Sequence, residues 1–366
     1  MHRAASKQPR RAAAAVNTIE IVQDTEERDW AQLLPDLVRK VADDLLSADV
    51  TEYIRLRAVC KPWRNSTANP SLLHPRFFPR KWLLVAGEEL RHDGEPERLV
   101  NVRTGARLRI RFPTPKEYTH HGNAEGLLVL HHSLTDTVCL LNPLTMAFTD
   151  LPSMSAVYDV ALPPPGAADD DAWTITAAGV VVVDPPIPTV VLSLTLGTHT
   201  AIVCAEPGDN FWRAVDVSAA DDIECELPVI HGGLSVQGRF FVPTRAGDVL
   251  GVELGPQPRL TYVAKQAGED APMNGLNERC YLVPSGKDDG MLLMRTWGPG
   301  NIYYNVYTVD LGNSSLTPHA MGGTDTTVFL PSVTVRSSGF PNVLPNQAYA
   351  EENMELLLHG DFNVLV

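Results

Sequence analysis

A chain of 366 residues with 44% apolar content has room for one small module and one large domain, and its net charge of −14 is unevenly spread. Residues 1–80 carry 13 Lys and Arg against 10 Asp and Glu, a net +3, whereas residues 81–366 carry 17 against 34, a net −17. So acidic a domain, with no Lys or Arg from Glu117 to Trp212, repels phosphate backbones and excludes nucleic acid as its expected ligand.

Residues 1–28 read as a disordered tail. The first nineteen hold no acid and are rich in Ala; an organellar transit peptide is the alternative, but such leaders are usually Ser-rich and this stretch has only Ser6. Residues 29–67 read as a helical unit. Pro35 suits a first helical position, where its missing N–H would have no partner. Leu37, Val38, Val41, Leu45 and Leu46 follow at helical spacing. Asp49 with Glu52 three residues on has the form of a capping box, opening a second helix through Ile54, Leu56 and Val59. Pro62 interrupts the pattern, and Trp63-Arg64 restart it. Three helices in under forty residues bury little by themselves, so an apolar face is expected to await a partner.

The order Leu33-x-Pro35-Asp36-Leu37, Val41, Leu45, then Arg57-Ala58-Val59-Cys60 and Trp63-Arg64 resembles the F-box, the helical module by which substrate receptors dock on the Skp-type adaptor of cullin–RING ubiquitin ligases. The resemblance implies adaptor binding through Leu33, Pro35, Leu37, Val41 and Leu45 of the first helix and Ile54, Val59, Cys60, Trp63 and Arg64 of the later ones. Residues 68–80, with Pro70, Pro75 and Pro79, read as a linker.

From Lys81 the pattern changes to short strands punctuated by Gly, Pro, Asn and Asp. An internal repeat is legible. Leu99-Val100-Asn101-Val102-Arg103-Thr104, with a strand ending at Phe112-Pro113, matches Leu140-Leu141-Asn142-Pro143-Leu144-Thr145, with a strand ending at Leu151-Pro152, and the Asn-x-x-Thr step recurs 41 positions on. Each copy reads as a hairpin, and a period near 40 residues is the size of a β-propeller blade. At that period residues 81–366 hold roughly six or seven blades; a pair of β-sandwiches is the competing architecture. The fold class is thus mainly β with a small N-terminal α module: a three-helix F-box followed by a propeller.

Several local signatures beyond the helical unit are similar to those of plant F-box proteins, abundant in grasses, whose C-terminal half is propeller-like. They include Leu73-His74-Pro75-Arg76-Phe77, Gly126–Leu130, Leu141–Thr145, Pro207-Gly208-Asp209 with Trp212, and Gly238-Arg239-Phe240-Phe241. Residues 153–189 are richer in Pro, Ala and Asp than that pattern, and the stretch after Tyr349 is short for a closing pair of strands.

No enzymatic signature stands out. Gly233–Gly238 is one residue too long for a nucleophile elbow and reads as a strand, a turn and a second strand. The pairs His120-His121 and His131-His132 offer at most one ligand per sheet face, because adjacent strand residues point to opposite sides. Asp169-Asp170-Asp171 reads as a solvated loop. Trp173, Trp212 and Trp297 read as blade core. Cys60, Cys139, Cys204, Cys225 and Cys280 are odd in number and lack C-x-x-C spacing, against disulfides or zinc and for a reducing compartment, cytoplasm or nucleus. No run reaches the ~18 apolar residues of a membrane helix. The expectation is a non-catalytic substrate receptor without cofactor or metal. Its partners would be a Skp-type adaptor, through it a cullin–RING ligase, and a target protein held by the β domain, with neither nucleic acid nor membrane. The alternative is a non-ligase propeller scaffold, an organellar one included.

Overall fold

A computed structural model describes residues 29–86, 97–101, 103–110, 117–158, 173–183, 187–196, 199–217, 232–265, 279–285, 290–297, 303–318 and 363–365. The tail 1–28, the acidic run at Asp169, Lys116, Lys287, Cys225 and the side chain of Trp297 lie outside the described residues.

Three helices open the fold: α1 (Pro35–Ala48), α2 (Val50–Val59) and α3 (Lys61–Asn65). Pro35 and Pro62 each lie in a first turn, where a missing N–H costs nothing. Val38 and Ala42 of α1 pack on Tyr53 and Leu56 of α2, and Phe77 completes this small core. The segment read as a linker is therefore packed. Phe77 enters the helical core, its ring 5.5 Å from that of Tyr53, and Phe78 enters a core between β-sheets.

Beyond the helices, and apart from a one-turn helix at Ser155–Tyr158, the described residues form five four-stranded antiparallel sheets. Sheet B holds β4 (Tyr118–Ala124), β5 (Leu127–His132), β6 (Thr137–Asn142) and β7 (Ala147–Ser153); sheet C holds β8 (Thr174–Val183), β9 (Ile187–Leu196), β10 (His199–Ala205) and β11 (Arg213–Ala214). Sheet D holds β12 (Leu234–Val236), β13 (Arg239–Pro243), β14 (Val249–Glu253) and β15 (Arg259–Ala264); sheet E holds β16 (Arg279–Pro284), β17 (Met291–Trp297), β18 (Tyr303–Asp310) and β19 (Ser315–Pro318). Each is an up-and-down meander. Sheet A differs: β1 (Trp82–Ala86), β2 (Glu97–Asn101) and β3 (Arg107–Ile110) are joined by β20 (Asn363–Leu365), which pairs with β1 at Leu84↔Leu365 and Val85↔Val364. One late strand, rather than a closing pair, completes the first sheet. The expected count of six or seven blades extends into residues 319–362, outside the described residues.

Alternation along the strands explains the stacking. On β5, Leu128 and Leu130 face sheet A, while Leu127 and Val129 face sheet C. On β9, Leu192 and Leu194 face sheet B and Val191 faces sheet D. Phe240 and Phe241 on β13 likewise point to opposite neighbours. Sheet E is also buried on both faces: Leu293 packs towards sheet D, and Leu292, Met294 and Tyr281 form a separate cluster on the other side. Sheets buried on both faces with short meander turns are propeller blades, not the two-layer packing of a sandwich.

The first turns of sheets B and D are the same two-residue hairpin. Glu125-Gly126 and Gln237-Gly238 all have positive φ, as the favoured tight hairpin turn demands. Gly233–Gly238 thus leads through a strand into such a turn, with β13 beyond it. The Asn-x-x-Thr repeats occupy the turn before the last strand of the β1–β3 run and of sheet B. Asn101 Oδ1 accepts from Arg103 N and Thr104 N at 2.9 and 3.0 Å, and Asn142 Oδ1 accepts from Leu144 N and Thr145 N at 3.0 and 3.3 Å. A left-handed residue, Gly105 or Met146, follows each turn. These are equivalent hairpins on neighbouring blades. A third copy sits in sheet E, where Asp310 Oδ1 accepts from Gly312 N and Asn313 N and Ser314 is left-handed.

Candidate docking face and its junction with the β domain

The helical module turns one apolar set inward and another outward. Leu33, Leu45 and Trp63 are half-buried against the core of Val38, Ala42, Tyr53, Leu56 and Phe77. Ile54 and Cys60 are half-buried; Pro35 and Arg64 are exposed. Leu37, Val41 and Val59 are outward, at 48%, 46% and 63% exposure. Two residues absent from the sequence-based set join them: Trp30 and Leu34, at 61% and 66%. Leu34, Leu37 and Val41 follow one another at spacings of three and four, so the helical period already placed Leu34 on that stripe.

The Arg57-x-Val59-Cys60-x-x-Trp63-Arg64 run builds this shape. Arg57 donates to the carbonyls of Arg64 and Thr67 and to Thr67 Oγ1, tying α2 to the chain beyond α3. Arg64 Nε returns a bond to Arg57 O at 3.2 Å, and Trp63 Nε1 donates to Trp30 O at 2.9 Å. Arg64 and Trp63 are therefore internal ties as much as surface groups.

Asp49 is the group sequence reasoning undervalued. Its Oδ1 caps α2, accepting from Thr51 N and Thr51 Oγ1 at 2.7 and 2.6 Å. The capping box with Glu52 does not close. Asp49 N–H is already given to Leu45 O as the last bond of α1, and the Glu52 carboxylate takes Arg55 instead. The same Asp49 side chain, buried, receives the indole N–H of Trp82 (3.2 Å to Oδ2) and the Nδ2 of Asn101. Beside it, Ala48 O at the C-terminal end of α1 accepts from Arg103 Nη2 at 2.6 Å, with Lys81 Nζ at 3.4 Å. Cations at a helix C-terminus complement its dipole and satisfy carbonyls that have no helical partner.

The repeats thus have a second use. While Oδ1 of Asn101 and Asn142 holds each turn, Nδ2 reaches the N-terminal unit: Asn101 to Asp49, Asn142 to Phe77 O at 3.2 Å. The sheet E copy has Asp310 in this position, with no amide to offer. Its Oδ2 accepts from Asn313 Nδ2, and these bonds hold its carboxyl below the usual range. At sheet B the contact is closer still. A Cβ on Gly126 would lie 2.6 Å from Pro79 O. Next to it Arg80 Nε donates to Glu125 Oε2 at 2.6 Å; burial raises the Glu125 pKa despite the opposing pull of Arg80 and Ser235. In an up-and-down sheet the first and third turns share an end, so the module covers that end of sheets A and B. The other end of sheet B carries the β5–β6 turn, with Leu134 83% exposed.

The histidine pairs behave differently from the simple alternation rule. A bulge between His120 and Gly122 re-aims His121, which stacks on Trp173 with centroids 5.1 Å apart and lies 5.9 Å from His131. His131 Nε2 is 2.8 Å from Asp136 Oδ1 and packs edge-on against Trp173. Trp173 is half-buried and lines the core between sheets B and C, and Trp212 is fully buried with its Nε1 donating to Pro152 O. Among the described residues no group of three or more His, Cys, Asp or Glu is placed to hold a metal ion, and no described helix is long and apolar enough to cross a membrane.

Burial pushes the Cys139 thiol up to about 12, with Asp150 adding to it, and the Cys204 thiol up to about 11. Cys280 is also buried, and Cys60 is half-exposed at the α2–α3 joint. Because the thiolate is the nucleophile, brief iodoacetamide treatment of the native protein at pH 8 should label Cys60 ahead of Cys139, Cys204 and Cys280. Peptide mapping reads the order, and labelling of Cys139 first would contradict the packing between sheets A and B.

A family model described as KIB1-4 beta-propeller matches residues 81–362. No curated protein matches the chain. Among solved structures, a Bacteroides caccae protein of unknown function is 12% identical over 64% of this chain and 70% of its own, with a TM-score of 0.34. YCF48 from Cyanidioschyzon merolae is 10% identical over 62% and 67%, with a TM-score of 0.35. Scores this low carry no argument about what the chain does. The family model covers most of the chain and coincides with the stacked four-stranded sheets: the protein belongs to the KIB1-4 beta-propeller family.

Proposed function

We propose that the protein is a non-catalytic substrate receptor of a cullin–RING ubiquitin ligase of the plant F-box type, acting in the cytoplasm or nucleus. The helical module docks on a Skp-type adaptor through Leu34, Leu37 and Val41 of the α1 stripe, flanked by Trp30, Pro35 and Val59. The propeller holds a target protein at the end away from the module. The observation that carries this reading is the outward stripe itself: α1 fills its own core with Val38 and Ala42 and still presents Leu34, Leu37 and Val41 to solvent. The receptor supplies proximity, raising the effective concentration of the target beside the charged ubiquitin-carrying enzyme.

Co-expression of the full chain with a Skp-type adaptor tests this. A stoichiometric complex that survives gel filtration is expected. Failure to form one would return the protein to the class of non-ligase propeller scaffolds.

Assembly with the cullin–RING core gives a second readout. The chain has only seven lysines, none between Glu117 and Tyr262. Lys40 lies one turn from Leu37, beside the docking stripe, and adaptor binding is expected to shield it partly, together with Lys61 at the start of α3. Self-modification should therefore fall mainly on Lys7, Lys81 or Lys116, as mapped by mass spectrometry. Dominant modification at Lys265 or Lys287 would mean that the far side of the propeller faces the enzyme.

A further inference from the structure

The junction around Asp49 has a form that stability alone does not require. One buried carboxylate caps α2 through Oδ1 and receives two donors from sheet A through Oδ2: the Trp82 indole and the Asn101 amide. Asn101 cannot turn its amide over, because its Oδ1 is committed to Arg103 N and Thr104 N. Two further ties cross this junction, and a third lies within the module. Arg103 reaches Ala48 O, Arg76 Nη2 is 2.5 Å from Asp43 Oδ1, and Asn142 reaches Phe77 O. Each joins a helical or linker residue to a blade turn or to another element of the module. A receptor with a flexible connector would sweep its target through many orientations; one with a pinned joint presents a single orientation.

We infer that Asp49 is a positioning residue. It locks the helical module to sheet A at one angle, and so fixes where the propeller's far end stands relative to whatever the module binds. The rigidity of the joint follows from the geometry alone; its consequence for ubiquitin transfer rests on the proposed ligase role.

The discriminating variant is Asp49→Asn. Asn is as good an N-cap as Asp, so the cap on α2 survives. Its amide would, however, face the Trp82 and Asn101 donors with donors of its own. Combining Asp49→Asn with Asn101→Asp restores an acceptor opposite a donor, and the carboxylate introduced at the second position can still accept from the N–H groups of its own turn, as Asp310 does in sheet E. The orientation is read in the full chain by double electron–electron resonance between spin labels at Asp44→Cys and Arg245→Cys, in a background with Cys60→Ser and Cys225→Ser.

A single narrow distance distribution is expected with Asp49 intact, a distribution about twofold broader or more in D49N, and recovery in the double variant. Trp82→Phe, which leaves the cap and Asn101 untouched, should broaden it less and keeps the test open if D49N folds poorly. In the reconstituted ligase at saturating adaptor, D49N should leave adaptor affinity unchanged and spread self-modification over more lysines. An unbroadened distribution in D49N and W82F, or a double variant no narrower than the single, overturns the inference. Loss of adaptor binding by the unsubstituted chain would instead defeat the ligase reading and leave the resonance result to decide the joint.

Discussion

Replacement of Leu37 and Val41 together by Ala should weaken binding of a Skp-type adaptor by on the order of a hundredfold or more, since each side chain withdrawn from a buried contact forfeits about 1.5–3 kcal/mol. Both are about half exposed in the free chain, so its own stability should hardly change. That combination identifies a docking face: affinity falls while the melting transition stays put. The exposed Leu72 lies off the α1 stripe, and Leu72→Asp should bind normally. By contrast, substitution of Leu33 or Leu45 confounds the two effects, because both pack against the module's own core. Unchanged titration of the adaptor by the Leu37/Val41 variant would remove the helical stripe from the interface.

The second large effect is expected at Gly126. Its φ of +84° is unfavourable for any side chain, and a Cβ there would sit 2.6 Å from the Pro79 carbonyl oxygen and 2.8 Å from its carbon. Gly126→Ala therefore combines a backbone penalty of about 1–2 kcal/mol with a collision against main chain that cannot rotate aside, for a total on the order of 3 kcal/mol. Gly105 is the natural control. It is left-handed at +67° but has open space where its Cβ would go, so Gly105→Ala should cost only the backbone part, about 1–2 kcal/mol. Thermal unfolding of both variants decides between them. Equal shifts would mean that the linker yields freely at Pro79.

Much of this was legible in the sequence because the signals are local. Pro35 and Pro62 mark first turns, Asp49 reads as a cap, and the Asn-x-x-Thr step announces a repeated hairpin. What escaped was decided by partners distant in sequence. Helical spacing places Leu33, Leu34, Leu37, Val41 and Leu45 on apolar positions, but only the packing of α2 and Phe77 separates those turned inward from those left outside. Glu52 has the spacing of a capping box, yet the bond it would complete is pre-empted by the end of α1. A strand through Tyr303–Leu311 with a Gly312-Asn313 turn is legible as a further hairpin, but its kinship to the Asn-x-x-Thr step is not, because Asp310-Leu311-Gly312-Asn313 reaches the same turn with a carboxylate in place of an amide. His121 escaped because a bulge breaks the alternation that strand reasoning assumes.

The pairing of β1 with β20 carries a consequence for how the protein is made. Leu84 finds its partner in Leu365, 281 positions further on in a chain of 366. Sheets B to E each draw on contiguous stretches of sequence and can form as they leave the ribosome, whereas sheet A, begun first, must wait for the last of its four strands. Until then the β1 edge stands open, with unpaired backbone groups that invite strand addition from another chain. Its long-range closure is the slow kind of contact, so nascent chains stalled before β20 should be the species that chaperones hold and that aggregates recruit.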